Sequence, residues 1–289
     1  MKKLLGLVVA FVLAMSNILQ ANAEAEFSYE AGAEVVSAYL WRGTYCGGLS
    51  FQPSVSIGYE GDKTSFTFNV WGSVGASDWR FKKDLELTAE GYDPNTYFSP
   101  ELDIAAQFSL FGFNVGFTHY YYFGGSNFFS WQPIQTVYEN ENTSTTEVQA
   151  GFDFGYWFEN VPIYINWYTM VAGCDGFTDE TTGEVRQNYT SYLELGFAQD
   201  FSHGWSLDAN IGFSPWTSQD IYGNEGFAVQ NLSLRLDKTW EWDACSLSIF
   251  AQGMLNPSAI NKENVYIHEG GELKADQALN GLIGLGIWF

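Results

Sequence analysis

The chain has 289 residues, a formal net charge of −22 and a mean hydropathy of −0.12. Such an acidic chain is poorly suited to bind nucleic acid, because the phosphate backbone demands clustered basic side chains. The same charge favours cations near the protein surface and repels anionic solutes.

The first 23 residues have the pattern of a secretory signal peptide. Lys2 and Lys3 precede an apolar core at residues 4–15, and Ala21-Asn22-Ala23 supplies a small-x-small cleavage site. The apolar core is too short for a comfortable membrane helix, and no later run of about 18 apolar residues predicts one. We therefore expect a signal peptide at residues 1–23 and one mature domain at residues 24–289.

The mature part alternates between apolar and polar residues in segments of strand length. Residues 49–59 are the clearest case, with Leu49, Phe51 and Val55 on one face and Gln52 and Ser54 on the other. The predicted strands are 29–42, 49–59, 64–75, 99–110, 113–123, 145–156, 162–173, 188–200, 205–214, 227–238, 244–255 and 277–289.

The connections between these segments alternate in length. The predicted short connections are 60–63, 111–112, 157–161, 201–204 and 239–243. The other connections are mostly longer and cover 43–48, 76–98, 124–144, 174–187, 215–226 and 256–276. Short turns alternating with longer loops, together with 18% aromatic residues, are typical of outer-membrane barrels with aromatic girdles. The sequence predicts an all-β, transmembrane, antiparallel up-and-down β-barrel of 12 strands.

A block near the N-terminus carries a family resemblance. It runs Val36-Ser37-Ala38-Tyr39-Leu40-Trp41-Arg42-Gly43 and is followed by Gln52-Pro53-Ser54 and by Val70-Trp71-Gly72-Ser73. This block resembles the TorF-type putative porins of Gram-negative bacteria, over residues 36–75. The resemblance implies an outer-membrane pore, and it brings no catalytic residues with it.

Strand parity places a set of charged side chains on the predicted lumen face. The set comprises Glu30, Glu34, Arg42, Glu101, Asp103, Glu147, Asp153, Glu194, Asp208, Arg235, Asp237 and Asp276. One interpretation is a hydrated passage for small solutes that favours cations, since rings of Asp and Glu select cations. The alternative is a structural barrel in which Arg42 and Arg235 knit the carboxylates together and leave no continuous path.

An outer-membrane hydrolase is the remaining alternative, because such a site needs a histidine close to a nucleophile. The chain has His119, His203 and His268, and none of them lies in a motif that predicts a catalytic site. We therefore expect no enzymatic activity.

Neither a cofactor nor a metal is predicted. The loop acids Asp179, Glu180 and Glu184, and Glu139 and Glu141, have no ordered calcium-loop spacing. The spacing of Cys46, Cys174 and Cys245 matches no metal or redox motif. Cys46 and Cys174 fall in predicted loops on the same side of the membrane, so a disulfide between them is an open alternative.

The last strand has the most informative pattern. Leu279, Ile283, Leu285, Ile287 and Phe289 form an apolar face that continues to the final residue. This face resembles the C-terminal phenylalanine signal that the barrel-assembly machinery reads. The expected partners are therefore outer-membrane lipid, the assembly machinery and small solutes or cations, and the expected location is the cell outer membrane.

Overall fold

The computed structural model describes residues 26–77, 100–123, 128–133, 144–158, 161–179, 181–260, 265–266, 272–273 and 278–289. The predicted signal peptide at residues 1–23 lies outside these ranges. No helix in the described ranges is long and apolar enough to span a bilayer.

The strands, in chain order, are β1 Glu26–Val36, β2 Tyr39–Trp41, β3 Thr44–Gly47, β4 Leu49–Glu60, β5 Thr64–Ser77, β6 Glu101–Leu110, β7 Phe113–Tyr122, β8 Ser144–Asp153, β9 Ile163–Gly173, β10 Gly176–Thr178, β11 Val185–Gln187, β12 Ser191–Phe201, β13 Trp205–Ser214, β14 Ala228–Glu241, β15 Ser246–Leu255, β16 Val265–Tyr266, β17 Glu272–Leu273 and β18 Leu279–Trp288. A short helix, α1, covers Gln219–Tyr222.

Twelve of these strands close into one antiparallel barrel, which confirms the predicted fold class and strand count. Their order around the barrel is β1-β18-β15-β14-β13-β12-β9-β8-β7-β6-β5-β4. The remaining strands pair as three small hairpins, β2–β3, β10–β11 and β16–β17, in the loops at one end of the barrel. We call this the long-loop end and the opposite end the short-turn end.

The seam of the barrel extends to the final residue of the chain. Strand β1 pairs with β18 over residues 32–36 and with β4 along its whole length. Beyond β18, the backbone N–H of Phe289 donates to the carbonyl of Ala31 at 2.8 Å, and Ala31 N–H donates back at 3.2 Å. This closure leaves no free sheet edge at the seam, as a strand in lipid requires.

The two faces of the strands follow the predicted alternation. Along β18, every second residue from Leu279 to Ile287 is exposed on the outer face, and Ile283 is 68% exposed. The lumen side holds glycines where a ring from a neighbouring strand lies across the wall. A Cβ at Gly212, for example, would come within 1.9 Å of the Tyr192 hydroxyl. The small residue therefore lets the aromatic ring lie flat against the wall.

The first predicted strand, 29–42, is wrong beyond residue 36. Strand β1 ends at Val36, and the chain turns into the barrel as the β2–β3 hairpin. Arg42 and Gly43 form its two-residue turn with φ values of 44° and 86°. Positive φ at both central positions is the geometry that joins two strands tightly, so Arg42 cannot continue an extended strand.

Candidate functional site in the barrel lumen

The loop between β1 and β4 forms a hairpin that lies inside the barrel mouth. Its base is part of a buried hydrophobic cluster of Val36, Ala38, Tyr45, Phe250 and Leu282. Phe250 belongs to β15 and Leu282 to β18, so the cluster joins the hairpin to the β1–β18–β15 wall. Burying these side chains stabilises the inward position of the loop.

The tip of the hairpin reaches the opposite wall. The Arg42 guanidinium donates to both carboxylate oxygens of Glu147 on β8, at 2.6 and 2.9 Å. Strand β8 lies six positions from β18 in the ring of twelve. The hairpin therefore crosses the lumen from one wall to the other.

Aromatic side chains enclose the Arg42 guanidinium. Its central carbon lies 4.0 Å from the ring centre of Tyr168 and 4.7 Å from that of Tyr192. The hydroxyl of Tyr222, at the end of α1, accepts a hydrogen bond from Arg42 at 3.2 Å. Because the Glu147 side chain is only 3% exposed, its charge depends on this guanidinium for compensation.

A backbone contact also fixes the hairpin tip. Asn256 Nδ2 donates to the carbonyl of Gly43 at 3.2 Å. A Cβ at Gly43 would lie 1.9 Å from the carbonyl oxygen of Gln230, which is closer than two non-bonded atoms can approach. Only glycine fits here, because it both permits the positive φ and leaves space for the neighbouring backbone.

Two other lumen carboxylates are held by tyrosine hydroxyls. Tyr39 and Tyr122 donate to Glu101 on β6. On the far side of the lumen, the hydroxyls of Tyr164 and Tyr192 lie beside Glu194 on β12. Within the described residues, neither carboxylate forms a salt bridge. A hydroxyl can donate a hydrogen bond to a carboxylate oxygen, but it carries no positive charge.

A second arginine binds a different pair of carboxylates. Arg235 on β14 forms salt bridges to Asp237 at 2.8 Å and to Glu34 on β1 at 3.0 Å. Its guanidinium lies over the ring of Phe250, 3.7 Å from the centroid. Asp208 is the direct cross-strand neighbour of Arg235 on β13. Both arginines that the described residues place in the lumen therefore form salt bridges with carboxylates.

The remaining predicted lumen charges lie elsewhere. Asp103 follows Glu101 on the lumen face of β6, two residues along. Asp153 is at the end of β8, where its carboxylate accepts from Gly155 N–H at 2.8 Å and caps a short turn. Glu30 is exposed towards the short-turn end of β1, and Asp276 lies outside the described residues.

The histidines of the described chain are separated from the lumen carboxylates. On the outer face of β7, His119 is buried between Thr146 Oγ1 at 2.9 Å and the carbonyl of Phe128 at 2.7 Å. His203 is exposed in a turn at the short-turn end, beside Ser202. His268 lies outside the described residues.

Cys46 and Cys174 form no disulfide in the structure, although both belong to its described part. Burial raises the pKa of the Cys174 thiol to about 11, so the thiol stays protonated at neutral pH. Within the described ranges, no group of His, Cys, Asp and Glu side chains is placed to hold a metal ion.

The loop acids contact protein donors. Asp179 accepts from the backbone N–H groups of Thr181 and Thr182 and forms a salt bridge with Arg186 at 3.1 Å. The hydrogen bond from the backbone N–H of Thr181 is the main cause of the lowered pKa of Asp179, whose side chain is 20% exposed. Glu180, Glu139 and Glu141 lie outside the described residues.

Sequence reasoning missed the tyrosines that complete the site. No individual role was predicted for these residues from the sequence, because parity alone does not show which carboxylate a ring contacts. They are Tyr39, Tyr122, Tyr164, Tyr168 and Tyr192. The sequence held one signal for the hairpin. Gly43 follows Arg42 within an alternating segment, and tight hairpin turns often have glycine at the second central position.

Comparisons with known proteins give likenesses in shape only. No family model matches the chain, and no curated protein matches it. An outer-membrane phospholipase dimer of Salmonella typhi with bound calcium is 9% identical, with 95% of this chain and 96% of that chain covered and a TM-score of 0.38. A FadL homologue of Pseudomonas aeruginosa is 9% identical. The match covers 92% of this chain and 77% of that chain, with a TM-score of 0.34. OmpF of Salmonella typhi in complex with daunomycin is 8% identical. The match covers 92% of this chain and 97% of that chain, with a TM-score of 0.29.

Proposed function

We propose that this protein is an outer-membrane channel for passive diffusion of small solutes, with a preference for cations. The membrane location is supported by the apolar outer surface of the barrel. Outward residues such as Val55 on β4, Leu234 on β14 and Ile283 on β18 are exposed around the ring. A continuous exposed apolar band is unfavourable in water and is the surface that lipid covers.

The tyrosine-held carboxylates carry the proposed cation preference. Arg42 and Arg235 compensate Glu147, Glu34 and Asp237, whereas Glu101 and Glu194 lie beside neutral tyrosine hydroxyls. The lumen therefore keeps a negative potential that raises the local concentration of cations and lowers that of anions.

Water access supports a passage rather than a solid core. Gln107 on the lumen face of β6 is exposed, and its partner Gln149 on β8 is partly exposed, with a hydrogen bond of 2.8 Å between them. The hairpin enters the barrel from the long-loop end, where β1 ends and β4 begins. We expect a wide vestibule from the short-turn end that leads to a constriction beside the hairpin.

Solute uptake by proteoliposomes tests the proposed function. Liposomes that contain the folded protein should swell with small neutral and cationic solutes, and more slowly with anionic solutes of the same size. The test variant is Arg42→Glu, which removes the Arg42–Glu147 salt bridge and adds a lumen carboxylate, so anion entry should fall further relative to neutral entry. Swelling that favours anions would contradict the proposal.

A non-conducting structural barrel is the second candidate, and the Arg42 cage favours it. The β2–β3 hairpin is attached to two opposite walls, and it would close the long-loop end of the lumen if both of its sides were packed against the barrel wall. Folded protein that produces no swelling with any solute would support this candidate. For the hydrolase alternative, lipid and peptide cleavage by the purified protein is the direct assay, and we expect none that depends on His119, His203 or His268.

A further inference from the structure

A pattern of three components recurs in the lumen. Glu147 meets the guanidinium of Arg42 over the rings of Tyr168 and Tyr192. Glu34 meets Arg235 over the ring of Phe250. In both places a carboxylate and an aromatic face hold an organic cation that the chain itself supplies.

The wall around β6 repeats two of these components. Glu101 and Asp103 both face the lumen from β6, and Asp103 is paired across the strands with Trp71 of β5. The Trp71 ring packs against Tyr39 of the hairpin with a centroid distance of 5.5 Å. Carboxylates therefore lie beside an aromatic pair, as at the two arginine sites.

The third component is missing from this wall. Among the described residues, no arginine or lysine forms a salt bridge with Glu101 or Asp103. Glu147, another lumen carboxylate, already binds Arg42.

Two buried polar atoms on the same wall also lack partners. The Oδ1 atom of Asp103 is buried and accepts no hydrogen bond, and the Nε2 atom of Gln52 donates none. Gln52 is only 6% exposed. The register pairs Phe51 with Val74 and Ser54 with Trp71, which places Gln52 beside Ser73 and hence in the row that contains Glu101.

An unsatisfied acceptor and an unsatisfied donor in one buried wall indicate a ligand that supplies both complements. The cationic N–H groups of such a ligand would donate to Asp103, and an oxygen atom would accept from Gln52. A metal ion would not accept from the Gln52 amide, and no metal cluster is present in the described residues.

We propose that Glu101, Asp103, Trp71 and Gln52 form a binding site for a small organic cation of the guanidinium or ammonium type that also carries an oxygen acceptor. This site would define the class of solute that the proposed channel carries. The inference rests on the proposed function only in that the solute must be able to enter the lumen. The cationic group would lie between the carboxylates and the Trp71 ring, in the arrangement that Arg42 and Arg235 display.

Calorimetric titration of the folded protein in detergent tests this site without requiring permeation. The probe is arginine with its α-amino group acetylated and its carboxyl group amidated, because it combines one guanidinium with oxygen acceptors, and citrulline blocked in the same way is its neutral isostere. We expect saturable one-to-one binding of arginine and binding of citrulline at least about tenfold weaker, as expected from the loss of a charge-assisted pair. The double variant Glu101→Gln/Asp103→Asn should lose arginine binding by a similar factor or more.

The matched control is Asp179→Asn/Glu184→Gln, which removes two carboxylates from the exposed loop at β10–β11 and should leave binding unchanged. Heat-modifiable migration verifies that each variant is folded. The proposed site would be overturned if arginine did not bind, or if it bound no more tightly than citrulline. It would also be overturned if equimolar sodium displaced arginine, or if Glu101→Gln/Asp103→Asn still bound it. Binding without conductance would retain the site and reject the channel, so the two proposals fail separately.

Discussion

The guanidinium of Arg42 and the carboxylate of Glu147 join two opposite walls of the barrel through hydrogen bonds of 2.6 and 2.9 Å. Arg42 belongs to a hairpin that follows β1, and Glu147 belongs to β8, 105 residues later. The pair is nearly buried, so neither partner can lose the other without leaving a poorly solvated charge. We infer that this pair latches the hairpin across the lumen.

Removing the latch should enlarge the passage and weaken the barrel. For Arg42→Ala, we expect a higher single-channel conductance, because the hairpin tip loses its attachment to β8. The barrel should also be destabilised by about 3 to 5 kcal/mol, since Glu147 is left buried without a cation. Planar-bilayer recording and heat-modifiable unfolding measure the two effects.

Arg186→Ala is the control for this latch. Arg186 forms its salt bridges with Asp179 and Glu184 in an exposed hairpin, so its loss should cost at most about 1 kcal/mol. Conductance of Arg42→Ala that equals the wild-type value would show that the latch does not limit the passage.

Displacing the hairpin tip sterically should have the same effect on conductance. In Gly43→Ala, the new methyl group would meet the carbonyl of Gln230 at 1.9 Å, so the tip must move away from β14. We expect raised or fluctuating single-channel conductance in a barrel that still folds. Gly183→Ala is the matched control, because Gly183 also has a positive φ, of 69°, but has no atom within 4 Å of the new methyl group. If both variants behave alike, backbone strain rather than the clash is responsible.

The terminal residue should control assembly of the barrel. Deleting Phe289 removes the two backbone hydrogen bonds to Ala31 and the exposed aromatic ring. We expect less folded, heat-modifiable protein in the outer membrane and more unfolded chain in the periplasm. Phe289→Ala keeps the backbone bonds, so a comparable loss in this variant assigns the effect to the ring. An unchanged folded yield after deletion would contradict an assembly role.

Strand parity was sufficient to predict the barrel wall, because the residue period of two is fixed by strand geometry alone. Residues 205–214 were predicted as a strand and form one with the same bounds. Arg42 shows where this reasoning stops. Its parity indicated the lumen, but the sequence gives no distance to Glu147, and the hairpin turn that aims it at β8 interrupts the alternation.

The partners of the lumen charges also depended on the closed fold. Glu34 and Arg235 are 201 residues apart and meet only because β1 and β14 lie three positions apart in the ring. Tyr39, Tyr122 and Tyr164 likewise reach Glu101 or Glu194 from another strand or from the hairpin, whereas Tyr192 lies on the same strand as Glu194. Such contacts follow from strand order and register, which local patterns do not specify.

The reversal potential of the folded protein in a planar bilayer under a potassium chloride gradient tests the cation preference most directly. The wild-type channel should favour potassium, and the preference should weaken at high salt, where charges are screened within about 3 Å at 1 M. Neutralising the lumen in Glu101→Gln/Asp103→Asn/Glu194→Gln should reduce the preference, whereas Asp179→Asn should not. A chloride-favouring reversal potential, or no conductance in well-folded protein, would contradict the proposed function.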